Sequence, residues 1–123
     1  MGDVVLCLEN VRNNNNLDSL LQLNLPNVKM CFDLGHAHCY GDENVLYNKY
    51  QDKIACSHLH NNTGKDTHEL LNVGDIDYMK FLNLLSCVSG ASNCLECFPP
   101  YGSKLTRSEF VEFVQKCYDI VNI

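Results

Sequence analysis

Glu9, Asp33, His58 and Glu96 are the residues of this chain whose types and spacing suit chemistry. Each directly follows a short apolar run: "VVLCL" before Glu9, "KMCF" before Asp33, "IACS" before His58 and "NCL" before Glu96. The steps between them are 24, 25 and 38 residues. Three carboxylates and an imidazole suit a divalent metal ion (Mn, Mg, Co or Zn) in five- or six-coordinate geometry, with positions left for a substrate. One acid at a strand end is as often a helix cap or a solvated side chain. Four in succession, with no matching excess at the strand starts, point to a site. The stretch "SHLHNNTGKDTH" (residues 57–68) holds three of the five histidines, but only His58 stands at a strand end. His60 shares its inward direction if the strand runs one pair further. Asp66 and His68 fall in the loop beyond.

The elements that must position these side chains are four β-type runs at residues 3–8, 28–32, 53–57 and 93–96. They are near-continuously apolar, as strands buried on both faces of a parallel sheet are. Helical segments are expected between them, at residues 17–23 after Asn16, 43–50 after Asp42 and 78–88 after Asp77. The clearest follows Thr106-Arg-Ser-Glu109, a capping box, with Phe110, Phe113, Val114, Cys117 and Val121 at helical spacing. The order βαβαβαβα with right-handed crossovers gives an α/β fold, either part of a doubly wound sheet or part of a (β/α)8 barrel. In both, sites form at the C-terminal ends of the strands. No glycine-rich phosphate loop opens a helix, so nothing supports a nucleotide site.

The bulk properties narrow the function. A length of 123 residues and 46% hydrophobic content fit one globular domain, residues 1–123. A net charge of −6 provides no basic field for nucleic acid or an anionic membrane. No apolar stretch approaches the ~20 residues of a membrane span. The N-terminus lacks the basic run of a secretory leader, so the expected compartment is the cytosol. Eight cysteines in such a chain read as reduced thiols. Cys94 and Cys97 form a CxxC, but on a strand positions three apart face opposite ways and do not share a metal. Cys7, Cys31, Cys56 and Cys94 each precede a proposed ligand by two residues, which places four small thiols on the ligand-bearing face as packing.

Taken together, "CLENV", "CFDLGHAH", "HLHNNTGKDTHELLNVGDIDY" and "LECFP" resemble the sugar phosphate isomerase/epimerase family. This is the xylose-isomerase-like TIM barrel superfamily, which also contains endonuclease IV. The resemblance runs from about Asp3 to the last helix. It implies Glu9, Asp33, His58 and Glu96 as metal ligands, Glu9 and Glu96 as the acid/base pair, and His36 as a contact to substrate oxygens; the inward direction of His60 places it on the pocket lining, as a second substrate contact. The implied reaction is proton abstraction beside a metal-chelated carbonyl in a sugar or sugar phosphate. An endonuclease-IV-like phosphodiesterase at abasic DNA is the alternative, with Asp66 and His68 on an additional zinc. Otherwise those two belong to a polar lid. Asn61 departs from the family pattern, which carries an acid there.

The family barrel has eight strands in roughly 250 residues, and four βα units match its C-terminal half. A lone half exposes two strand edges and an apolar inner face. A second half-barrel is therefore expected, whether another copy of the chain or an N-terminal half, unless the chain is a truncated piece. A partial barrel without catalysis is the third functional reading.

Overall fold

The computed structural model describes residues 4–100 and 102–122. The elements in order are β1 (Leu6–Glu9), α1 (Asn15–Gln22), β2 (Val28–Asp33), α2 (Leu34–Tyr40), α3 (Glu43–Tyr50), a 3-10 turn (Gln51–Lys53), β3 (Ile54–Leu59), α4 (Tyr78–Ser86), β4 (Ser92–Leu95) and α5 (Arg107–Val121). The strands form one parallel sheet in the order β1-β2-β3-β4. Each returns through at least one helix, as a parallel crossover requires. The fold is α/β with four βα units, a partial TIM barrel.

One face of the sheet carries the core. Met30, Phe32, Ile54 and Leu59 from β2 and β3 are buried against Leu17 and Leu21 of α1, Tyr47 and Tyr50 of α3, and Phe81 and Leu85 of α4. Phe32 is its centre, edge-on to Tyr47 at 5.8 Å and stacked on Phe81 at 6.0 Å. Full burial of such a ring contributes about 2–3 kcal/mol. The opposite face carries the thiols. Cys31 is buried beside its register partner Cys56, and burial together with the neighbouring Cys56 raises the thiols of both Cys31 and Cys7. Cys94 lies on the outermost strand and is exposed. Cys97 turns away from it, donating from Sγ to the Leu59 carbonyl at 3.6 Å and packing near Cys117 of α5. Burial pushes the Cys97 thiol up to about 12, leaving it protonated.

Several boundaries differ from expectation for physical reasons. The first strand starts at Leu6, with Val4 and Val5 exposed beside the open edge. The first helix starts at Asn15 rather than Leu17, because the asparagine run folds on itself: Asn13 and Asn14 side chains accept from the Asn15 and Val11 amides. The helix α2 was not expected at all. It begins on the residue after β2, with no loop between, because the Asp33 side chain accepts from the His36 amide at 2.7 Å and caps it. The helix α5 has its capping box at Thr106 and Glu109, yet Phe110 and Val114 of the expected apolar stripe face solvent with Val111 and Tyr118. Ile120 and Val121 pack it on the core cluster, and Phe113 and Cys117 of the expected stripe are half-buried. No helix is long and apolar enough to cross a membrane among the described residues.

Candidate metal centre

Register brings the expected ligands together. Glu9 pairs with Cys31, Asp33 with His58, and the Glu96 amide extends the β3–β4 ladder by donating to the Leu59 carbonyl at 3.0 Å. The side chains of Glu9, Asp33, His58 and Glu96 each offer one ligand atom within 4.8 Å of the others. His58 Nδ1 is the hub, 3.3 Å from Glu9 Oε1, 3.3 Å from Glu96 Oε2 and 3.7 Å from Asp33 Oδ2. Asp33 has no exposed surface, while Glu9, His58 and Glu96 keep about a third of theirs at the open end of the strands.

The electrostatics of this group fit a cation. Burial raises the Glu9 carboxyl above its ordinary value, and the neighbouring Asp33 carboxylate raises it further, beyond what His58 and His36 offset. Asp33 is also penalised by burial, but its bonds to His60 and to the His36 amide hold it below the ordinary range. Its Oδ2 is buried and has no hydrogen-bond partner. A buried carboxylate oxygen left bare is costly unless something positive meets it. That oxygen, the Glu9 and Glu96 carboxylates and the His58 imidazole are a donor set that could hold a divalent ion.

A second group sits beside the first. His36, His60, Asp66 and His68 likewise bring one ligand atom each within 4.8 Å of one another. Asp66 bridges two of the imidazoles, with Oδ2 3.3 Å from His36 Nε2 and Oδ1 3.2 Å from His68 Nε2. His68 adopts φ 50, a left-handed conformation uncommon outside glycine. It is held there by its Nδ1 contact to the Glu96 carbonyl at 2.8 Å and by stacking between His60 at 3.8 Å and Phe98 at 4.5 Å. His60 has no exposed surface: its Nε2 lies 3.1 Å from Asp33 Oδ1 and its ring is covered by His68. A substrate would meet His60 only if His68 moved aside. His36 touches both groups, with Nδ1 3.2 Å from Glu9 Oε1 and Nε2 toward Asp66. Burial lowers its basicity, but the charges of Asp33, Asp66 and Glu9 and the Asn10 carbonyl outweigh that and raise it.

The match to a family model described as xylose isomerase-like TIM barrel covers residues 3–117. The chain belongs to the xylose isomerase-like TIM barrel family. Its fold is similar to the crystal structure of a D-tagatose 3-epimerase-like protein, at TM-score 0.59 and 25% identity. That likeness covers 96% of this chain and 48% of that one, so the chain spans about half the length of the relative. No curated protein matches the sequence.

In this xylose isomerase-like chain the residues that hold the candidate ligands were less legible than those candidates themselves. Gly35 is one: a Cβ there would run into the His60 ring, so only glycine lets that imidazole reach Asp33. Asn61 is another, and it faces neither group. Its Nδ2 donates to the Leu71 and Ile76 carbonyls at 2.6 and 3.3 Å, and its Oδ1 accepts from the Asn62 and Ile76 amides. It clasps the loop that carries Asp66 and His68, with Gly74 at φ 140 packed against it. Asn10, adjacent to Glu9 and fully buried, is the third. The available signal was an uncharged amide next to a ligand, which composition alone does not distinguish from a surface asparagine.

Proposed function

We propose that this chain is the metal-binding half of a divalent-metal-dependent sugar or sugar-phosphate isomerase or epimerase. The observation that carries the reading is the convergence of Glu9, Asp33, His58 and Glu96, with the buried Asp33 Oδ2 among them accepting no hydrogen bond. Family membership and the epimerase-like structural neighbour support the reaction class. Glu9, Asp33, His58 and Glu96 would hold a Mn, Mg, Co or Zn ion, which would supply Lewis acidity toward a substrate carbonyl. Glu9, at the end of β1, and Glu96, directly after β4, then serve as base and acid. The raised Glu9 carboxyl suits proton transfer, and His36, which stands between the two groups, binds a substrate oxygen. Residues 1–123 form one partial barrel domain, a second half-barrel covers its open edges, and the cytosol is its setting.

A second reading rests on the other group. His36, Asp66 and His68, with His60 behind them, form a site for a further ion, and a polynuclear centre suits an endonuclease-IV-like phosphodiesterase at abasic DNA. The charge of −6 speaks against a DNA-binding surface, so the isomerase reading is preferred. The test titrates Mn, Co and Zn into the parent, Glu9→Gln and His58→Ala. It then assays ketoses in deuterated water and nicking of abasic duplex DNA, with the chain alone and with a complementary half-barrel. Metal uptake lost in both variants and deuterium at the reacting carbon are expected. A parent that takes up no metal overturns both enzymatic readings and leaves a non-catalytic partial barrel, while nicking without deuterium exchange selects the nuclease.

A further inference from the structure

We propose that Asn10 is a positioning residue for the metal centre, one that sets the spacing of Glu9 and Asp33 and fixes the His36 ring; this rests on the metal-centre reading above. The ladder between β1 and β2 ends at the Glu9–Cys31 pair, two residues short of Asp33. Beyond it the chain of β1 leaves for the asparagine loop, and the Asn10 side chain takes the place of a strand partner. Its Oδ1 accepts from the Asp33 amide and its Nδ2 donates to the Asp33 carbonyl, both at 2.8 Å. This closed pair of bonds serves both polar backbone groups of the one ligand that is wholly buried. Meanwhile the Asn10 carbonyl lies 3.0 Å from His36 Nδ1. A proton on Nδ1 leaves the lone pair on Nε2, the nitrogen that faces Asp66. Asn10 thus holds Asp33 by its side chain and His36 by its backbone, one residue from Glu9.

An amide is needed for both bonds. Aspartate at this position has the same shape but no donor for the Asp33 carbonyl, and adds a fourth negative charge to the cluster. Outer groups that orient ligands are worth about tenfold or more in metal affinity, and that is the expected scale.

The test is Co(II) titration of the parent, Asn10→Asp and Leu85→Ala, followed by visible absorption. Leu85 is a buried core residue of α4 that belongs to neither group of candidate ligands, and matches a general loss of stability. Asn10→Asp is expected to weaken Co(II) by about tenfold or more and alter its band at saturation, with Leu85→Ala within about threefold of the parent. Equal affinity and an identical band in Asn10→Asp overturn the proposal, as does an equal loss in Leu85→Ala. The His36 part is read without metal, by imidazole nitrogen shifts of the apo parent and Glu9→Gln at a pH where the ring is neutral. The Nδ1–H form is expected in both; a change to Nε2–H when Glu9 is replaced assigns the hold to Glu9 and overturns the role of Asn10. This measurement stands even if Asn10→Asp does not fold. A parent that binds no Co(II) overturns the metal centre and the spacing role that depends on it, while the imidazole spectra still decide the hold on His36.

Discussion

Gly35 acts through the side chain it lacks. It lies in the first turn of α2, where alanine would be favoured by about 1 kcal/mol on helix propensity alone. The His60 ring occupies the space a Cβ would need, and overpacking a filled interior costs about 1–3 kcal/mol. The clash wins, because the ring is enclosed by Asp33 on one side and His68 on the other. Gly35→Ala is therefore expected to lower stability by about 1–2 kcal/mol net in urea unfolding. It should also weaken metal uptake, since Asp33 loses the imidazole bonded to Oδ1. Unchanged stability and uptake would show that His60 does not hold Asp33. At this scale the sequence marked the candidate donors and concealed the residues that support them. Glu9, Asp33, His58 and Glu96 announce themselves by charge at the end of apolar runs, whereas Gly35 and Asn10 act through contacts with residues some two dozen positions away.

The elements divide in the same way. Strands β2 and β3 and helices α3 and α5 were legible because apolar runs and side-chain caps are local signals. Helix α2 was not, because its cap, Asp33, is also the end of β2 and a metal-type ligand, and its sequence "LGHAHCY" lacks an apolar stripe. The loop between β3 and α4 was legible as a loop, but not as a rigid one. Asn61 satisfies it with four bonds to backbone groups. Replacing Asn61 by the acid of the family pattern puts a carboxylate against two carbonyls. Asn61→Asp is expected to cost about 2–3 kcal/mol in urea unfolding and to gain no metal site, which metal titration checks. The caps also predict an acid response. The amides of Val45 and Asn44 hold the Asp42 carboxyl below its ordinary 3.8, and the Thr106 amide holds Glu109 below 4.5. Depressed folded values mean that stability is full above those ordinary values and is lost as pH falls through the folded ones. An acid titration by far-ultraviolet circular dichroism should show this loss, with a smaller slope in Asp42→Asn, where the cap survives and the titration does not.

At the scale of the whole molecule, the hydrophobic surface is unevenly finished. Core residues on the helix side of β2 and β3 are closed off, while Val4, Val5 and Leu6 at one edge of the sheet and Phe110, Val111, Val114 and Tyr118 on α5 stay open. A relative of about twice the length contains the matching fold, and the four βα units by themselves leave the sheet unclosed. The parallel sheet was legible in the order of elements; which surfaces stay open was not, because that depends on what lies across the axis.

Cys94 turns this geometry into a reporter. It lies on β4, in register with His58, and is exposed on the face where Cys31 is already buried. Cys87, at the C-terminal end of α4, is also exposed but sits outside the sheet. A maleimide should alkylate both at similar rates on the isolated chain. Once a second set of strands closes over the inner face, Cys94 is expected to become slow while Cys87 stays fast, which peptide mass spectrometry resolves thiol by thiol. Equal rates in the presence of a candidate partner would show that the partner docks elsewhere. The half-barrel thus carries its own footprint of closure, readable before any substrate is known.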